Sequence, residues 1–64
     1  MTRLEAERRR QGLSRRELAR RARVGHVTVW KIETGRSVPW PSTKTLLAVA
    51  LEAHTEALFP EADR

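Results

Sequence analysis

Two short amphipathic segments between Ser14 and Gly35, parted only by Arg23-Val24-Gly25, constrain the fold of this chain more than any other feature. The first opens with Ser14-Arg15-Arg16-Glu17. In such a capping box the Ser hydroxyl and the Glu carboxylate each take up a backbone N–H that a first helical turn leaves without a partner. The helix that starts there places Leu18, Ala19 and Ala22 on one side, while Arg15, Arg16, Arg20, Arg21 and Arg23 cover the rest. The spacing predicts a second helix over 26–34, with Val29 and Ile32 inward and Gly35 in the left-handed conformation that closes a helix. At about 100° per residue, Val27 and Lys31 fall nearly opposite Val29 and Ile32, with Trp30 and His26 on the flank between. One face anchors and the other is presented.

Two helices joined by a three- or four-residue turn containing glycine form either an ordinary helical hairpin or the unit that projects its second helix into a DNA major groove. Charge favours the second. Of the +5 formal charge, residues 1–37 carry eleven Lys/Arg against four Glu, and residues 38–64 carry two basic against four acidic residues. The basic half is the half with the two-helix unit. Such a surface attracts a phosphate backbone through counterion release, and also anionic membranes and acidic proteins. Arginine outnumbers lysine eleven to two, which suits bidentate phosphate contacts, although GC-rich codon usage produces the same bias.

Sixty-four residues allow one small domain, with a core about 3–59 and a frayed tail at 60–64. Without cysteine there is no disulfide or thiolate-metal staple, so stability rests on helix packing. No stretch reaches the roughly 18 apolar residues of a membrane span, and no apolar signal segment follows Met1. The expectation is a cytoplasmic, nucleoid-associated protein with no membrane partner. His26 and His54 are far apart with no cysteine to complete a set, so neither a metal nor another cofactor is expected. The glutamates sit at caps or on arginine-rich faces, and no Ser/His/Asp set or phosphate-binding glycine loop appears, so binding rather than catalysis is expected.

Around the central unit, a first helix is predicted over 2–11, capped by Thr2 and ended by Gly12, with Leu13 plugging the space beneath the turn. Leu4 and Arg8 share its inner side, and an inward arginine needs a partner, for which Glu33 is the candidate. Two prolines hold 36–41 in a loop. Ser42 is predicted to cap a fourth helix through about Ala53, with Leu46, Val49, Ala50 and Ala53 as its inner stripe and Leu47 and Leu51 beside it. Trp40 is expected to cover the end of the core. His54 or Thr55 starts a last turn carrying Leu58 and Phe59, ended by Pro60. No strand pattern or internal repeat occurs.

These elements, in this order, resemble the phage-repressor and Cro type of helix-turn-helix domain, an XRE-like transcriptional regulator. The resemblance rests on Arg8, Gly12-Leu13-Ser14, Glu17-Leu18-Ala19, Val24, Thr28-Val29, Ile32-Glu33, Gly35, Pro41-Ser42, Thr45-Leu46 and Leu58-Phe59. It implies an all-α bundle of five short helices with the helix-turn-helix at helices two and three. It further implies that Gly25, His26, Val27 and Lys31 lie where base edges are read, with Thr28 at the margin. Arg15, Arg36 and Ser37 fall where the family touches phosphates, Arg15 also bracing the start of the recognition helix, and Arg8 and Glu33 match an internal ion pair. Arg23 stands where the family has a turn glycine, and Gly25 replaces the usual Ser/Thr cap.

Individual side chains keep two readings. Lys31 can donate to guanine O6 or N7 or to a phosphate; Val27 can meet a thymine methyl or be a tolerated exposed valine; His26 can touch DNA or be solvated. Trp30 either packs against a neighbouring loop, with Trp40 as a candidate partner, or meets DNA. The resemblance implies a repressor acting as a homodimer on double-stranded DNA, since one domain contacts few base pairs. Leu51, Leu58 and Phe59 are the candidate dimer contact, or else they close the monomer core. No small-molecule ligand is expected, because no sensing domain follows. The alternatives are an antitoxin that masks a toxin partner with its apolar C-terminal surface, and a nonspecific architectural or RNA-binding protein.

Overall fold

The computed structural model describes residues 1–60, which form five helices and no strand. They are α1 (Arg3–Arg10), α2 (Arg15–Ala22), α3 (His26–Glu33), α4 (Pro41–Leu51) and α5 (Thr55–Leu58). The tail expected to fray lies, from residue 61 on, outside the described residues. No described helix is long and apolar enough to cross a membrane.

Local chemistry sets the helix starts. The Thr2 hydroxyl accepts the Glu5 N–H at 3.1 Å. At α2 the predicted box is complete: Ser14 Oγ accepts the Glu17 N–H at 3.0 Å and Glu17 Oε1 accepts the Ser14 N–H at 2.8 Å. The Ser14 N–H, and after it the Ser14 hydroxyl, hold the Glu17 carboxyl below its usual range. The start of α4 differs from the sequence expectation. Trp40, not Ser42, is the cap residue, because Pro41 occupies the first helical position, where its missing N–H and fixed φ do no harm.

Four helices end in the same closure. A residue one or two positions past the helix turns left-handed: Gly12 (φ +72), Arg23 (φ +59), Gly35 (φ +77) and Glu52 (φ +54). In each case the next N–H folds back to a carbonyl five residues earlier: Leu13 to Arg8, Val24 to Ala19, Arg36 to Lys31 and Ala53 to Ala48, at 2.8–3.1 Å. Two of these turns use the glycine such a φ favours, and two do not.

Leu4, Leu18, Val29, Leu47 and Leu51 are the largest fully buried side chains, joined in one core by Leu13, Ala19, Ala22, Ile32, Ala48 and Leu58. α2 lies at its centre, packed on both α3 and α4, while α5 joins α1 to α4. Gln11 Nε2 donates to the Leu51 carbonyl at 2.8 Å and so ties the end of α1 to the end of α4. The inner face of α4 is a correction. Leu47, Ala48 and Leu51 point inward, whereas Leu46 and Val49 of the expected stripe are 43% and 70% exposed. Trp40, expected over the core, is 78% exposed. Leu51 and Leu58 are buried and Phe59 packs against the core, so this trio closes the monomer.

Candidate nucleic-acid interface

The seat of α3 is both apolar and ionic. Val29 and Ile32 enter the core, and beside them Glu33 is 5% exposed, its side chain fully covered. Arg8 Nε donates to Glu33 Oε2 at 2.7 Å and its Nη2 to Oε1 at 3.1 Å, while Nη1 reaches the Leu13 carbonyl at 2.7 Å. Arg15 Nε donates to the same Oε1 at 2.8 Å. One carboxylate thus fastens α3 to α1 and to the first residue of α2. The bonds to Glu33 hold the Arg8 guanidinium above its usual pKa against the opposing effect of its own burial. No buried side-chain nitrogen or oxygen among the described residues lacks a partner, so the site meets the condition under which a buried charge is tolerable.

With that side fixed, the opposite face is presented. Gly25, His26, Thr28 and Lys31 are exposed, and Val27 is half exposed. The helix ends at Glu33, one residue before the expected limit, and the cap residue Thr34 donates its hydroxyl to the Trp30 carbonyl at 2.7 Å. Gly25 caps α3 with an ordinary φ of −72° and no side chain, and the first turn carries no acidic residue. The positive pole of this helix therefore faces no carboxylate of its own.

Arg36 and Ser37, past the Gly35 turn, are exposed. Arg15 is divided between two settings: its Nε is engaged by Glu33, yet its side chain is 37% exposed. Sequence reasoning missed that second arginine on Glu33. It also missed the partner of Trp30: the ring carries the Arg36 guanidinium 4.5 Å from its centroid. A signal for this was present, since a left-handed Gly35 folds residue 36 back along the last turn of α3.

A family model described as a helix-turn-helix domain matches residues 2–62. The chain belongs to the helix-turn-helix domain family. That membership agrees with the resemblance to the phage-repressor and Cro type, and it brings DNA as the class of partner. No curated protein and no solved structure matches the chain. Within this helix-turn-helix domain α2 and α3 are the two named helices, and Arg23-Val24-Gly25 is the turn. The turn closes without glycine at its left-handed position: Arg23 adopts φ +59, ψ +40, and its backbone N–H folds back to the Ala19 and Arg20 carbonyls.

Proposed function

We propose that this protein is a sequence-specific regulator of transcription, a repressor, that binds double-stranded DNA as a homodimer with α3 in the major groove. One observation carries the reading. α3 is locked from behind by Val29, Ile32 and a Glu33 carboxylate held by two arginines, while its outward face offers a mixed set of donor and apolar groups without acid. A major groove about 12 Å wide admits such a helix. In this reading Lys31 donates to guanine O6 or N7, Val27 meets a thymine methyl, and Gly25, His26 and Thr28 complete the base-reading surface. Arg36, Ser37 and the free edge of Arg15 hold phosphates on either side.

Reading needs rigidity, because a base contact has value only if a wrong base cannot be met by a small rotation of the helix. The Arg8–Glu33–Arg15 cluster supplies that stiffness from below the reading face. The remaining exposed arginines of α2, Arg16 and Arg20 among them, add sequence-independent attraction. Two copies are required because one α3 spans few base pairs, with half-sites about 34 Å apart on one side of the duplex.

The test is selection of bound duplexes from a random pool using the full chain. A repeated half-site in two-fold arrangement, spaced by about one helical turn, is the expected outcome. A pool that never departs from random composition overturns the proposal.

A further inference from the structure

Trp30 has no place in the core and is not on the outermost line of α3. It lies on the flank, 37% exposed and outside the buried cluster. Its ring nevertheless has a defined occupant. Gly35 reverses the chain at φ +77, and the Arg36 N–H closes on the Lys31 carbonyl at 2.8 Å. This brings residue 36 against the last turn of α3, where its guanidinium lies 4.5 Å from the indole centroid. The Thr34 hydroxyl, bonded to the Trp30 carbonyl at 2.7 Å, fastens the same turn.

Stacking uses the face of a guanidinium and leaves the N–H donors on its edge. Arg8, Arg9, Arg10 and Arg15 each give donors to a glutamate. Arg36 pairs with no carboxylate among the described residues, so its edge is available for an oxyanion. An arginine on an open loop loses side-chain freedom when it grips a phosphate, and that loss weakens binding. A ring that already holds the guanidinium removes part of the loss in advance.

We propose that Trp30 is a positioning residue for DNA binding, whose indole holds Arg36 at the rim of the reading face with its edge donors directed to a backbone phosphate. The inference rests on the assignment of α3 as the DNA-reading helix. It gives the tryptophan a role at a distance from the bases. A ring that stacks on the nucleic acid, or that only fills space beside the loop, has no reason to depend on Arg36.

A double-mutant cycle on the full chain separates these cases. Dissociation constants are measured at two salt concentrations for wild type, Trp30→Leu, Arg36→Ala and the double variant, on a selected and on a random duplex. Arg36→Ala should weaken binding on both duplexes and reduce the salt slope by about one. Trp30→Leu should weaken binding about 2–5-fold in the wild-type background and have no further effect once Arg36 is alanine. Trp30→Phe, which keeps a ring, should recover part of the loss, and it supports the same cycle if the leucine variant does not fold. An equal Trp30→Leu effect with and without Arg36 overturns the inference. If the wild type does not prefer the selected duplex, the sequence-reading proposal fails, while the cycle on random duplex still decides the coupling through phosphates. A wild type that binds neither duplex overturns both.

Discussion

Arg23→Gly should make the domain more stable. An L-residue in the left-handed region costs about 1–2 kcal/mol, and Arg23 holds φ +59, ψ +40 at the turn between α2 and α3. Glycine removes that strain but adds freedom to the unfolded chain, which offsets about 0.4–1 kcal/mol. Arg23 is exposed, so its side chain gives up no buried packing. The net gain is about 0.5–1 kcal/mol, or a melting temperature higher by about 2–8 °C in a domain of this size.

The other helix ends provide internal controls. Glu52→Gly, at φ +54, should act in the same direction. Gly12→Ala and Gly35→Ala should act in the opposite one, through the backbone alone, because a Cβ at either position meets nothing within 4 Å. Urea unfolding followed by circular dichroism reads all four, with an unchanged m-value marking a true stability change. If Arg23→Gly is neutral or destabilising while the two alanine variants destabilise, the Arg23 side chain stabilises the turn in a way its geometry does not reveal. If all four are neutral, the strain reasoning is refuted.

Three further outcomes are expected. Glu33→Gln leaves two arginines facing a neutral amide, and breaking a buried pair costs about 3–5 kcal/mol, comparable to the whole stability of so small a domain; thermal melts should show most of the cooperative transition lost. Glu7, bonded by Arg10 and Gln11, has its pKa lowered to about 2, and Glu17 is lowered by Ser14. For lowered carboxylates the stabilisation is present above the usual carboxylate pKa of about 4.3 and is lost as pH falls toward the folded values. An acid titration should therefore show declining stability from there down to about 2, with a shallower decline in Glu7→Gln. In binding assays, Lys31→Ala should relax preference at one base-pair position, whereas Arg15→Ala should weaken all sequences alike and flatten the salt slope by about one; a uniform loss from both variants removes Lys31 from the base readers.

Helix starts and stops were largely legible because they depend on residues within four positions of one another. Ser14 with Glu17, Thr2 with Glu5, and Gly12 and Gly35 after their helices are local chemistry. What depends on packing was not. α4 carries two apolar lines, Leu46/Val49 and Leu47/Leu51, and only the arrival of α2 and α5 decides which one is covered. The start of α4 carries a local signal of its own: Ser42 is a good cap residue in isolation, but Pro41 already occupies the first helical position. The inward placement of Arg8 follows from its i, i+4 relation to Leu4, whereas the convergence of Arg15 on the same Glu33 is a tertiary fact. Trp40 shows the limit of residue type as a guide, since a large apolar ring lies outside on a loop held extended by its prolines.

Whether the outward face of α3 reads sequence is tested most directly by the ratio of two affinities. The full chain is titrated with its selected duplex and with a scrambled duplex of the same length and composition, in the same buffer at near-physiological salt. Tighter binding to the selected duplex by about 10³ or more is the predicted result. A ratio near unity, with binding to both governed by salt alone, would contradict the account.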